Sequence, residues 1–275
     1  MKENINSLNN YMKRFGYLIT VCAMAGLGFF SSCTSESDPA IEPGEGGITL
    51  ALTAETNFQS TKAVNEADYG KNVDNYTVQI YKDGSSTPIV NETLAEFKAE
   101  VEKDEKKRYR LSNGAYTLKA FYGEDKAVST TSMYVYGEQA FSVNNDFNSV
   151  EVACKPACAR VKVVFDSSMA TYFSDYFVVF ETNALSPASF TWKKDQTDPA
   201  YLKVGDKESV KATINLTTTA GKSSTVAKTY ELSPATAKLI KVKPVVKSGN
   251  IGIEIDIDES TNDIPVDIVI PSDWK

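Results

Sequence analysis

Short runs in which apolar and polar residues alternate one by one recur from Ile48 to Ile270. This pattern limits the possible folds more than any other feature of the chain. Alternation with period two puts one side of an extended backbone in a core and the other in water. It is read at Ile48–Leu52, at Val73–Tyr81, where Tyr76, Val78 and Ile80 share a face, and at Tyr109–Tyr122, where Tyr116, Leu118 and Ala120 do. It returns at Phe141–Val143, Ser149–Ala153, Ala159–Phe165, Asp175–Phe180, Val210–Thr217, Ser224–Leu232, Ile240–Val246, Ile251–Ile257 and Ile264–Ile270. Turn-forming pairs such as Asp83-Gly84 and Asn113-Gly114 punctuate the runs. Helical spacing is confined to Leu94, Phe97 and Val101, in a segment charged enough to predict only one or two turns. Many short strands without helix–strand alternation predict an all-β chain of packed sheets.

The N-terminal stretch has a different logic. Lys2, Lys13 and Arg14 precede an apolar run from Phe15 to Phe30, and Ser31-Ser32-Cys33 follows before the chain turns polar. That order is a secretory signal whose cleavage leaves Cys33 at the new N-terminus, where acylation would hold the protein on a membrane. The run is shorter than the roughly 20 apolar residues a spanning helix needs. Residues 1–32 are therefore expected to be a lipoprotein signal peptide. Residues 33–47, rich in Ser, Pro, Glu and Gly, are expected to be a flexible tether. The expected location is the outer membrane, lipid-anchored and facing outward.

After the tether the chain is long enough for two small domains. Asp175-Tyr-Phe-Val-Val-Phe180 echoes Asp74-Asn-Tyr-Thr-Val-Gln-Ile80, and each follows a strand-like run, Ala159–Phe165 and Ile48–Leu52. This weak duplication predicts two β-sandwich domains in tandem, of immunoglobulin or transthyretin type, spanning 48–153 and 154–275.

The chemistry the chain can perform is narrow. It contains no histidine, which removes Ser-His-Asp and Cys-His catalysis and every His-containing metal site. Its net charge of −7 becomes more negative once the signal leaves, because Lys2, Lys13 and Arg14 outnumber Glu3. An acidic chain is a poor partner for nucleic acid. No enzyme activity, cofactor or metal is expected.

Cys154 and Cys158 remain as a candidate disulfide pair. Four residues of extended chain span roughly 13 Å, whereas a bridge holds its Cα atoms about 4.4–6.8 Å apart. A tight turn at Lys155-Pro156 would close the gap; an extended run would leave two small buried thiols. Asp256, Asp258, Glu259 and Asp263 resemble a calcium loop, but the positions that should carry Gly and Glu are Thr261 and Asp267. The plainer reading is the solvent face of a strand. Tyr122, Tyr134, Tyr136 and Trp192 could form a sugar-stacking platform or pack in the core. Pro265 and Pro271 bracket Ile264, Val266, Ile268 and Ile270, which marks that run as an edge strand or one donated to a neighbour.

The lipobox, the tether, Asn75-Tyr-Thr-Val-Gln-Ile-Tyr81 and Leu111-Ser-Asn-Gly-Ala-Tyr-Thr-Leu-Lys-Ala120 resemble a family of Bacteroidetes lipoproteins known only as a domain of unknown function. Tyr136-Gly-Glu-Gln-Ala-Phe141, Cys154 with Ala159-Arg-Val-Lys-Val163, Asp175-Tyr176 and Gly249-Asn-Ile-Gly-Ile-Glu-Ile255 extend the likeness over residues 46–270. Cys158 departs from it. More distantly the pattern resembles the fimbrillins, two-domain β-sandwich lipoproteins that polymerise into pili by strand exchange. The resemblance implies an adhesive or pilus-associated role, with other surface proteins as partners. A glycan-binding lipoprotein of a polysaccharide-uptake system is the alternative.

Overall fold

Alternation becomes strand almost throughout. A computed structural model describes residues 44–55, 58, 67–247, 250–258 and 266–268, all within one compact unit, residues 41–275. In chain order the elements are β1 (Glu45–Ala54), α1 (Ala67–Lys71), β2 (Thr77–Lys82), β3 (Val90–Thr93), α2 (Leu94–Lys103), β4 (Tyr109–Ser112), β5 (Gly114–Tyr122), β6 (Val128–Ser129), β7 (Val135–Val143), β8 (Phe147–Pro156) and β9 (Ala159–Phe165). They continue with α3 (Met169–Tyr172), β10 (Phe173–Glu181), β11 (Phe190–Lys193), β12 (Ala200–Leu202), β13 (Glu208–Thr218), β14 (Ser223–Leu232), β15 (Ala237–Lys247), β16 (Asn250–Asp258) and β17 (Val266–Ile268). The signal segment, Cys33 and most of the tether lie outside the described residues, as do Ile264 and Ile270. β1 starts three residues before the expected Ile48, because Gly47 pairs with Phe147 and Glu45 with Ser112.

The strands form three sheets. The first runs β3-β2-β5-β7-β8-β1-β4, the second β11-β10-β13-β14, and the third β17-β16-β15-β9-β12-β6. The first curls so that Ile48, Val150 and Val152 share one core with Tyr76, Val78, Ile80, Leu118 and Val135. Its fold line runs through Gly137, where an added Cβ would stand 2.5 Å from the Ala153 carbonyl oxygen. The other two sheets enclose a second core that includes Trp192, Phe173, Phe180, Ile214, Val242 and Ile255.

The duplication hinted at by Asp74 and Asp175 is a duplication of topology. β1 lies parallel to β8 and antiparallel to β4; β9 lies parallel to β15 and antiparallel to β12. β2 sits antiparallel between β3 and β5, as β10 does between β11 and β13. β5–β7 and β13–β14 complete the correspondence as antiparallel pairs. Two cores succeed one another along the chain: apart from Tyr201, the buried residues of the first end at Cys158, and those of the second start at Ala159.

The halves are stitched together at two places. The connection from β5 to β7 sends β6 across to the third sheet, where Val128 pairs with Leu202. In return Tyr201 of β12 enters the first core, its ring 6.0 Å from that of Phe58. Lys203 reinforces the crossing: its Nζ lies 2.6 Å from Asp125 and its backbone N–H donates to Ala127 at 3.0 Å.

The Ser112-Asn113-Gly114 break separates two strands that do not pair with each other: β4 joins β1 at one end of the sheet, whereas β5 lies between β2 and β7. One local expectation is corrected. The charged segment after Thr93 is a ten-residue helix rather than one or two turns. A capping box starts it, with the Thr93 N–H donating to Glu96 at 2.8 Å and the Glu96 N–H to the Thr93 hydroxyl at 3.2 Å. Leu94 and Phe97 anchor its apolar side in the core.

Candidate functional site

The outward side of β2, β5 and β7 carries the densest group of functional side chains. Tyr76, Val78 and Ile80 point into the core, so Thr77, Gln79 and Tyr81 point out; the same parity sends Thr117, Lys119 and Phe121 outward from β5. Tyr134, just before β7, and Tyr136 and Glu138 on it face the same way, opposite buried Met133 and Val135. The register sets Phe121 beside Tyr136 and Lys119 beside Glu138, with Gln79 beyond Lys119 and Lys155 beyond Tyr136.

Phe121 and Tyr136 each stand by Tyr134. The Tyr134 and Tyr136 rings stack with centroids 6.1 Å apart and 27° between planes, and Phe121 lies 6.1 Å from Tyr134. The polar groups among them are partly fixed. Tyr136 donates its hydroxyl proton to Glu138. The Tyr81 hydroxyl donates to Gln79 at 2.9 Å, and Gln79 donates to Asn91 at 3.1 Å. Burial and the bond to Glu138 both push the Tyr136 phenol up; burial, with the nearby Asp125 charge, raises that of Tyr134. Lys119 holds its ammonium 5.1 Å from the Tyr81 ring centroid and forms no ion pair among the described residues.

Of the four aromatics weighed from sequence, two lie on this face. Trp192 is wholly buried in the second core. Tyr122 turns inward, stacking on Tyr76 and meeting Tyr69 edge-on. Phe121, Tyr81, Lys119 and Gln79 are not among the residues that the sequence offers as a binding face. The signal for them was parity, since they occupy the positions between the apolar residues that had been assigned inward.

Cys154 and Cys158 are both buried, and no disulfide joins them. β8 stays extended through Pro156, so the turn a bridge would require does not form. Cys154 donates its S–H to the Ala120 carbonyl at 3.5 Å, and Cys158 to that of Tyr134 at 3.9 Å. Burial pushes the Cys154 thiol up to about 12, so it stays protonated and unreactive near neutral pH. Among the described residues no cluster of three or more Cys, Asp or Glu could hold a metal ion. Asp256 and Asp258 lie in β16, where Glu254 pairs with Lys243 at 2.9 Å; Glu259 and Asp263 lie outside the described residues.

Two buried or nearly buried carboxylates act as staples. Glu208 accepts the N–H groups of Asn183 and Gly205, each at 2.7 Å, tying two connections of the second half together. Asp104 at the end of α2 accepts from Arg108 at 3.1 Å and Arg110 at 3.0 Å. Burial alone would raise the Asp104 carboxyl, but the bonds from Arg110 and Arg108 outweigh it and hold it below the usual range. Arg108 also stacks on the Phe147 ring, 3.7 Å from its centroid, so the cluster joins α2 and β4 to β8.

The strand edges are the remaining candidate. β17 ends the third sheet, and Val266 and Ile268 lie in the part of it that pairs with β16, against Ile255 and Ile253. Among the described residues β14 ends the second sheet, its ten paired residues all matched to β13.

The sequence profile of a family described as a domain of unknown function (DUF4493) matches residues 44–272. The chain belongs to this family. No curated protein matches the sequence. Among solved structures, the fimbrial anchor protein Mfa2 from Porphyromonas gingivalis is 11% identical, with a TM-score of 0.41 over 78% of this chain and 97% of that one. A fimbrial assembly protein from Parabacteroides distasonis is 13% identical, with a TM-score of 0.39 over 81% and 98%. Within the DUF4493 region, the matched residues take in all three sheets, the outward aromatic face and the edge strands.

Proposed function

We propose that this chain is a non-enzymatic, adhesive or pilus-associated protein of the cell surface, tethered to the outer membrane by lipid on Cys33. The two cores are proposed to be tandem β-sandwich domains of one ancestry, meeting at Cys158–Ala159. Support for that division comes from the repeated neighbour relations of β1–β8 and β9–β15.

The observation that carries the functional reading is the rim of the third sheet. β16 and β17 extend it beyond the strands shared by the two halves, and among the described residues β17 is its last strand, paired with β16 at Ile253, Glu254 and Ile255. A strand at a sheet edge is a candidate for pairing with another chain. The run Ile264, Val266, Ile268 and Ile270 is proposed as that strand.

Deleting Ile264–Lys275 tests the reading. If the run is donated, the truncated protein stays folded while crosslinked assemblies on intact cells disappear. A melting temperature lowered with no change in assembly would make it only a closing strand. Replacing Cys33 by Ala should release the protein from the membrane fraction, and persistent membrane association would contradict the anchor.

A further inference from the structure

The aromatic face of β2, β5 and β7 plays no part in closing either core. Leu118, Ala120 and Val135 beneath it are fully buried, so the core under these strands is already complete. Phe121, Tyr134 and Tyr136 stand on the water side, half-exposed, and adjacent centroids are 6.1 Å apart. Gln79 is pinned between Tyr81 and Asn91, and Glu138 is engaged by Tyr136, so the polar groups around the rings are already oriented.

We infer that this face binds a neutral glycan chain, with sugar rings lying over Phe121, Tyr134 and Tyr136 and their hydroxyls meeting Glu138, Lys119 and Gln79. The inference rests on the adhesive reading and gives it a ligand class. A sugar ring presents an apolar C–H face and a rim of hydroxyls, which matches an amphipathic ring beside a donor and an acceptor. Charge points the same way. Lys119 and Glu138 face one another across the β5–β7 pair, so the face carries both signs and favours neither an anion nor a cation. A dry protein interface here would strip both charges of water, a cost their mutual attraction repays only with excellent geometry. A polyol leaves the charged tips hydrated and supplies hydroxyls that accept from Lys119 and donate to Glu138.

The test is affinity electrophoresis of the full-length protein, solubilised in detergent, through native gels containing laminarin, xyloglucan or galactomannan. A gel containing polygalacturonate supplies the acidic comparison. Retardation by at least one neutral polysaccharide is expected. The double variant Phe121→Ala/Tyr136→Ala should bind it about tenfold more weakly, whereas Tyr176→Ala, in the second half, should bind as the parent does. Lys119→Met/Glu138→Gln keeps the rings and should also weaken binding, which keeps the test open if the first variant folds poorly. Migration unaffected by all three neutral polysaccharides would overturn the inference. Retardation by polygalacturonate alone, or retardation that survives both double variants, would also overturn it. Attachment of cells lacking the protein tests the adhesive reading separately. If deletion abolishes attachment but the ring variant does not, adhesion stands and the glycan site falls. If the purified protein binds glycan while deletion leaves attachment unchanged, the site stands and adhesion falls.

Discussion

In the first half β7 turns back into β8 and pairs with it, so seven strands make one continuous curled sheet; in the second half the corresponding β14 and β15 belong to different sheets. The same neighbour relations thus close in one copy and stay open in the other. Sequence at the join accounts for part of this. Gly137 allows β8 to approach within reach of β7, where any side chain would strike the Ala153 carbonyl. Between β14 and β15, Ser233, Pro234 and Ala235 lead the chain away, and the Ala235 N–H donates to the Cys158 carbonyl of the first half. The two copies of the topology therefore share their strand neighbours and differ at one seam. The open copy gains a long edge at β14 and the extra pair β16–β17. Lys228 and Glu231 lie along that edge, and such charges blunt an unpaired strand.

The largest effect expected from breaking this comparison is at Trp192, the largest wholly buried side chain. Trp192→Ala should cost about 3–5 kcal/mol. Because the halves have separate cores, amides of β10 and β13 should lose protection while those of β5 stay slow to exchange. Simultaneous loss in both halves would make them one cooperative unit. The measurement is hydrogen exchange followed by mass spectrometry.

A smaller effect is expected at Asp104, which locks the first half through Arg108, Arg110 and Phe147 and has no helical counterpart in the second. Asp104→Asn should cost about 1–3 kcal/mol at neutral pH. The native carboxyl is held below its unfolded value of about 3.9. Its contribution is therefore present above that pH and lost as pH falls through the folded value. Denaturant titrations should accordingly converge for parent and variant in strong acid.

Alkaline titration separates the halves more finely. In the first half Cys154 is pushed up to about 12 from an unfolded value of about 8.5, and in the second Tyr230 is pushed up to about 12 from about 10. In both cases the unfolded chain gives up its proton first. Stability then falls as pH rises from the unfolded value towards the folded one. The first half should weaken from about pH 8.5 and the second only from about pH 10. Cys154→Ala should remove the earlier of these declines, as read from pH-dependent melting.

The faces of the strands were legible because alternation reports which side of a strand is apolar. Tyr76, Val78, Ile80, Tyr116, Leu118 and Ala120 are buried as expected. Partners were not legible, since period two says nothing about which strand lies alongside. The parallel β1–β8 pairing joins residues about a hundred apart, and the β1–β4 pairing that parts β4 from β5 at Asn113 joins residues about sixty-five apart. α2 runs longer than its charged sequence implies because the Thr93–Glu96 capping box satisfies backbone N–H groups at its start. The candidate site was half legible. Tyr134 and Tyr136 were singled out, but a Tyr reads alike in a core and on a platform, and only its parity against Met133 and Val135 decides.

The most direct test of the closed and open copies is amide exchange on the monomeric full chain, compared strand by strand. β7 and β14 are equivalent strands, but β7 pairs with β8 as well as β5 at Val135 and Tyr136, whereas among the described residues β14 pairs with β13 alone. Slow exchange throughout the β7 segment beside β8, with fast exchange at the alternate β14 amides that point away from β13, is the predicted result. Equal protection of β14 and β7 in the monomer would contradict it.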